Sequence, residues 1–291
     1  MDWERDLPSW PLNEHSQRVD CPPHVWHVLE AGSGPTILLL HGAGASTHSW
    51  SNLIPRLAED FHVVAIDLPG HCFTKAGTRW RSGLTHMTED IWALCQLLDW
   101  QPSIILGHSA GAAIALSLAE IMQAEGALPK IVGINPALSE FEGVAGWLFP
   151  LIAKSLALSP FTANLFTISG NSHQKARRII ESTGSKLDDG GLSYYAKLMS
   201  SRKHVDGALT MMAQWDVTPL AKRLSEIAAP CLFITGGLDQ AVQPKVAESA
   251  AQRLQDCALH NFPTLGHLAH EQAPDLLLDL VLEWLQASAA H

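Results

Sequence analysis

Short, almost wholly apolar runs punctuate the chain: Thr36–Leu40 (TILLL), Phe61–Ile66, Ser103–Leu106, Ile131–Ile134 and Cys231–Thr235. They lack the alternation of a half-solvated strand, as expected for strands covered on both faces. A further strand is expected at Val25–Glu30, closed by the turn Ala31-Gly32-Ser33-Gly34-Pro35. A short one is expected at Ala258–Phe262. Between the runs lie segments with helical periodicity, roughly Trp50–Glu59, Thr88–Leu98, Ala110–Ala124, Pro244–Leu254 and Pro274–Ala287. Alternating strands and helices predict an α/β fold with a mostly parallel central sheet and helices on both faces. Residues 1–22 read as an irregular arm.

The alternation stops at residue 137. Residues 137–220 keep a helical period and show no convincing strand, so they read as a helical cap inserted after the sixth strand. The core is then 1–136 together with 221–291. Eight Lys/Arg in the insert (Lys154, Lys175, Arg177, Arg178, Lys186, Lys197, Arg202, Lys203) face seven Asp/Glu, a net +1. The rest of the chain therefore carries −11 of the overall −10.

That acidic balance argues against nucleic acid, whose phosphates need a basic face. A 47% hydrophobic content over 291 residues is enough for a sizeable core. The five cysteines are odd in number and contain no CxxC pair, and Cys95 and Cys231 fall in apolar stretches. This pattern suits buried thiols in a reducing compartment. The N-terminus, MDWERDLPSW, opens on acids without an apolar signal region. Val144–Leu165 is the nearest approach to a membrane segment, but Lys154, Pro150 and Pro160 interrupt it. It suits an apolar lid or a surface that touches a membrane. The expectation is a cytoplasmic protein with at most peripheral membrane contact.

The candidate chemistry begins at Gly107-His108-Ser109-Ala110-Gly111, which follows the strand SIIL and opens a helix. G-x-S-x-G in strand–turn–helix context is a nucleophile elbow. Its sharp turn strains the Ser109 backbone, and glycines at 107 and 111 remove side chains that would clash. A serine hydroxyl needs a base, and the base needs an orienting acid. In the order Ser, acid, His, the acid is Asp239, just past the strand CLFIT, and the base is His267 in Leu265-Gly266-His267. His270 is the rival base, and reads instead as a capping or surface residue. His41-Gly42-Ala43-Gly44 follows TILLL. Its small residues let amides approach a developing oxyanion, so the backbone N–H groups of Ala43 and Ala110 are the expected donors. His41 is expected to hold that loop. No HExxH motif or carboxylate cluster accompanies the 15 histidines, so neither a metal site nor a cofactor is called for.

These residues resemble the α/β-hydrolase superfamily along essentially the whole chain, from His41-Gly42 through Asp67-Leu68-Pro69-Gly70-His71 to Ser109, Asp239 and His267. A closer resemblance is to the magnesium-chelatase accessory α/β-hydrolases of bacteriochlorophyll biosynthesis (the BchO family). It rests on Leu40-His41-Gly42-Ala43-Gly44-Ala45-Ser46-Thr47-His48-Ser49-Trp50, Asn135-Pro136-Ala137-Leu138, Leu148-Phe149-Pro150, His204-Val205-Asp206-Gly207-Ala208-Leu209 and Gly266-His267-Leu268-Ala269-His270-Glu271. Cys72 departs from the family pattern where glycine is usual, and Ala43 where threonine is expected.

The resemblance implies a role near magnesium insertion into protoporphyrin and supplies no reaction. A tetrapyrrole or its ester is then a candidate ligand, with magnesium chelatase as a transient partner. An apolar cap bearing Lys175, Arg177, Arg178, Arg202 and Lys203 would suit a flat dicarboxylate, although such charges equally suit solvated helix faces. Three functions stay open: a serine-type hydrolase of an ester- or thioester-like bond, a non-catalytic porphyrin-binding or chelatase-assisting protein, and carbon–carbon hydrolysis or haloperoxidation on the same fold.

Overall fold

The computed structural model describes residues 1–139 and 172–287. The strands are β1 (Ser16–Cys21), β2 (His24–Ala31), β3 (Thr36–Leu40), β4 (His62–Ile66), β5 (Pro102–His108), β6 (Lys130–Ile134), β7 (Cys231–Gly236) and β8 (Cys257–Phe262). They form one sheet in the order β1-β2-β4-β3-β5-β6-β7-β8. β1 and β2 run antiparallel to their neighbours, and the other pairs are parallel. The helices before the insert are α1 (Trp3–Asp6), α2 (Ile54–Leu57), α3 (Leu84–Leu97) and α4 (Ala110–Ala124). The insert contributes α5 (Ser172–Ser182), α6 (Asp189–Ser200), α7 (Arg202–Gln214) and α8 (Thr218–Arg223). After it come α9 (Pro244–Ala251), α10 (Ala269–Gln272) and α11 (Pro274–Ala287).

The central runs are continuously apolar because successive residues feed two different cores. Leu38, Leu40, Val64 and Ile66 pack with Met87, Ile91 and Leu94 of α3 and Ala113 and Leu116 of α4. Ile37, Leu39, Val63 and Ala65 pack on the other face with Trp50, Leu57, Leu277 and Val281. Each fully buried Leu, Ile or Val contributes about 1.5–3 kcal/mol.

The N-terminal region corrects the expectation of an irregular arm. Ser16–Cys21 is an edge strand, in register with β2 from Ser16↔Leu29 to Cys21↔His24. Its sequence SQRVDC is mostly polar, with only Val19 and Cys21 turned to the core, and pairing with β2 defines the strand. With β1 counted, β6 is the sixth strand. The helix expected at Trp50–Glu59 is instead a 3-10 turn over Thr47–Trp50 followed by the short α2, whose first turn holds Pro55. All five cysteines are free thiols. The apolar stretch Val144–Leu165, with Lys154 and Leu148-Phe149-Pro150, lies outside the described residues. Among the described residues no helix is long and apolar enough to cross a membrane.

One buried carboxylate ties the loops at the carboxyl ends of the strands together. Asp67, just past β4, is fully buried. Its Oδ2 accepts from His27 Nδ1 at 2.6 Å and from the Phe73 N–H at 3.1 Å. Its Oδ1 accepts from the Thr47 N–H at 2.8 Å. Burial pushes its pKa up, but the His27 charge and hydrogen bond, His41 and the Thr47 amide together outweigh that and hold it below the ordinary carboxylate range.

A carboxyl with a depressed folded pKa contributes stability above its unfolded value and loses it as pH falls through the folded one. Asp67→Asn should therefore cost about 3 kcal/mol at neutral pH, because it leaves His27 without its anion. It should also flatten the decline in stability below about pH 4. Denaturant unfolding across that range measures both, and a variant with the parent's acid limb would contradict the assignment.

Candidate active site

Ser109 sits between β5 and α4 with φ 52° and ψ −115°, a conformation that costs a non-glycine residue about 1–3 kcal/mol. The surrounding loops impose this turn. A Cβ on Gly107 would stand 2.3 Å from the Gly111 carbonyl oxygen, and one on Gly111 would stand 2.0 Å from that of Leu40. The Ser109 N–H donates to the Ile134 carbonyl at 2.9 Å, which fastens the elbow to the end of β6. Ala110 is the first residue of α4, where a helix leaves its N–H without an intrahelical partner. A Cβ on Gly42 would meet Ser109 Cβ at 3.1 Å and His108 Nδ1 at 2.8 Å. Only glycine lets the loop carrying Ala43 pass this close to the elbow.

Asp239 and His267 meet. His267 Nδ1 lies 2.7 Å from Asp239 Oδ2, with Asp239 3% exposed and His267 9%. The carboxylate fixes a proton on Nδ1. Asp239 Oδ1 accepts from the Ala241 and Val242 N–H groups at 2.7 and 2.8 Å. Oδ2 accepts a second bond, from Asn135 Nδ2 at 2.8 Å. Four donors thus answer the two oxygens and fix the carboxyl group in place.

Asn135 was visible in the sequence only as part of a motif. Its place at the end of β6, with φ 46°, makes it a hub: Nδ2 also donates to the Gly266 carbonyl at 3.0 Å, and Oδ1 accepts from the Gly236 N–H at 2.9 Å. Asparagine tolerates this left-handed backbone better than other residues with a side-chain amide reach.

A second tie comes from the insert. The Thr183 carbonyl accepts from the N–H groups of Gln240, at 3.1 Å, and His267, at 3.3 Å. Ser185 Oγ, fully buried, accepts from the Leu268 N–H at 2.9 Å. Between them Gly184, at φ +80°, passes so close that a Cβ there would lie 1.8 Å from the Leu238 carbonyl oxygen. The turn between α5 and α6 therefore joins the loop of Asp239 to the loop of His267. No local sequence signal marks it, because its function is to supply backbone and hydroxyl bonds to distant loops.

His270 corrects an expectation. It is fully buried in α10, not a capping or surface residue. Its ring packs 4.7 Å from Trp50 and 4.5 Å from His108, and the His108 ring lies 4.8 Å from that of His267. Burial, then the charges of His267 and His48, lower its pKa to about 3, so it stays neutral. His108 donates from Nε2 to the His267 carbonyl at 2.9 Å, so the residue beside the elbow serine also grips the loop of the base. His41 donates from Nδ1 to the Gly42 carbonyl at 2.8 Å and accepts from the Leu68 N–H at 2.9 Å. Cys72, the departure from the family pattern, is buried at φ 40°. Among the described residues there is no cluster of three or more metal-ligating side chains.

The family model for the alpha/beta hydrolase fold matches residues 35–274. The magnesium-chelatase 30 kDa subunit of Rhodobacter capsulatus is 45% identical over 285 residues, covering 97% of this chain and 99% of that protein. The 2-(acetamidomethylene)succinate hydrolase of Mesorhizobium japonicum is 24% identical over 295 residues, 99% of this chain and 100% of that one. Among solved structures, the epoxide hydrolase CorEH without ligand matches with a TM-score of 0.77 at 18% identity, over 94% of this chain and 98% of its own. That last likeness is one of fold.

If the elbow is strained as its φ requires, Ser109→Gly should be more stable than Ser109→Ala by about 1 kcal/mol, the relieved strain less the extra unfolded-state entropy of glycine. Thermal unfolding of the two variants measures this, and equal midpoints would contradict it.

Proposed function

The chain belongs to the alpha/beta hydrolase fold family, and we propose that within it this protein is a serine-type hydrolase of an ester- or thioester-like bond that serves the same setting as magnesium chelatase. The observation that carries the reading is the buried 2.7 Å bond between His267 Nδ1 and Asp239, on loops joined to the strained elbow of Ser109. Binding alone requires neither a strained serine nor an imidazole oriented by a buried carboxylate. The triad, the oxyanion donors and the division into core and cap (137–220) belong to this proposal.

In it, His267 Nε2 takes the Ser109 proton as Oγ attacks the acyl carbon. Charge moves onto the carbonyl oxygen, and the N–H groups of Ala43 and Ala110 hold it. Asp239 keeps the imidazole in the Nδ1–H tautomer and stabilises the imidazolium that forms. The imidazolium gives its proton to the leaving group, leaving an acyl-serine. Water, deprotonated by the same Nε2, attacks the acyl carbon, releases the acid and restores the Ser109 hydroxyl. The positive end of α4 lies beneath these charges.

A second reading has its own support. The relative at 45% identity is a chelatase subunit by name, which favours a protein that binds a porphyrin or assists the chelatase, with the site kept for recognition. Under either reading the ligand is a small molecule, not nucleic acid.

Incubation with a fluorophosphonate probe separates the two. The hydrolase reading expects stoichiometric labelling that Ser109→Ala abolishes and that Asp239→Asn slows by about 10⁴-fold. Folded protein that stays unlabelled would contradict it. The binding reading expects saturable quenching of the chain's ten tryptophans by protoporphyrin, retained in Ser109→Ala.

A further inference from the structure

The loop that carries Ala43 contains three consecutive peptide groups, and each is held by one buried histidine. The Gly42 carbonyl accepts from His41 Nδ1 at 2.8 Å. The Gly44 N–H donates to His71 Nε2 at 3.1 Å. The Gly44 carbonyl accepts from His204 Nε2 at 3.1 Å. The rings form a row, with His41 and His71 centroids 5.2 Å apart and those of His71 and His204 5.3 Å apart. His41 and His71 belong to the core, whereas His204 lies on α7 of the insert, 160 residues from the peptide that it holds.

Trans peptide planarity turns these bonds into a chain of orientation. The Ala45 N–H shares a plane with the Gly44 carbonyl and points the opposite way, donating to the Gly42 carbonyl at 3.1 Å. The Gly42 carbonyl in turn shares a plane with the Ala43 N–H, the donor assigned to the oxyanion. His204 therefore bears on the direction of that donor through two peptide groups. The other side of its ring is fixed as well: Nδ1 accepts from the Cys72 N–H at 3.0 Å. Helix α7 can bring the ring this close because Gly207 lies one turn further on against Gly70. A Cβ on Gly207 would stand 2.1 Å from the Gly70 carbonyl oxygen.

We propose that His204 is a positioning residue for the oxyanion donor, through which the cap sets the geometry of the core's catalytic loop. The proposal rests on the serine-hydrolase reading for its catalytic consequence, while the geometry stands on its own. All three rings act as one donor and one acceptor: His41 also accepts from Leu68 N–H at 2.9 Å, and His71 also donates to the Pro69 carbonyl at 3.3 Å. Each must therefore be neutral, since a second proton would set an N–H against an amide donor. Burial above all holds them so, lowering His41 to about 3 and His71 to about 4, with His204 also held well below its ordinary value.

Glutamine and asparagine at 204 separate the two bonds, because Gln places an N–H near the position of Nε2 and Asn places an oxygen near that of Nδ1. His204→Gln should label with a fluorophosphonate within about threefold of the parent. His204→Asn should label about tenfold more slowly, since a mispointed oxyanion donor loses part of the 10²–10³-fold that such donors supply. The loss should fall on the maximal rate and leave the probe's half-saturation unchanged.

Amide hydrogen exchange of Ala45 reads the same contact without chemistry, and should be about fivefold faster in Asn than in Gln. Asn and Gln that behave alike in both measurements would overturn the role of His204. A parent protein that resists the probe would overturn the hydrolase reading, and the exchange contrast would then decide the positioning claim. His204→Leu, which removes both bonds, should be at least as slow as Asn if it folds.

Discussion

A carboxylate buried at the rim of a sheet must have its oxygens answered, and the way Asp239 is answered organises the site. Its four donors come from its own turn, from Asn135 at the end of β6 and from His267 on a separate loop. An ionised group left short of such partners costs several kcal/mol in a low dielectric. The loops after β6 and β7 and the loop before α10 therefore settle together or not at all. The orientation of His267 follows from that settlement and is not a freedom of its own side chain.

The insert takes part in this arrangement. Thr183 and Ser185 bond the loops of Asp239 and His267, and His204 bonds the loop of Ala43. Tyr195 of α6 donates to Glu271 of α10 at 2.6 Å, beside the buried His270. Burial raises Glu271 to about 8 against the opposing effect of that hydrogen bond. The residues that fasten the insert thus bond the loops that carry those proposed to do chemistry.

Much of this was legible in the chain, for reasons that can be named. TILLL and CLFIT announce strands because both faces of a central parallel strand are covered, and GHSAG announces a sharp turn because two close backbone approaches exclude side chains. The helices Ala110–Ala124 and Pro244 onward begin where the pattern places them. SQRVDC escaped because an edge strand leans on a partner's backbone, and two core-facing residues, Val19 and Cys21, are too short a side-chain period to announce it. His270 was misplaced because a histidine's burial depends on Trp50 and His108, which are remote in sequence. Asn135, Thr183 and His204 escaped as positioning groups for a related reason. Each acts on a loop about 60 to 160 residues away, and its chemistry is an ordinary hydrogen bond with no spacing rule.

The proposed chemistry requires Asp239 and His267 to form a preassembled pair that leaves Nε2 as a base. Proton NMR of the resting protein reads this pairing. A far-downfield imidazole proton, bound to the Nδ1 nitrogen of His267 and lost in Asp239→Ala while the fold is kept, is the predicted result. A His267 whose proton resides on Nε2, or whose spectrum is indifferent to the loss of Asp239, would rule the pairing out.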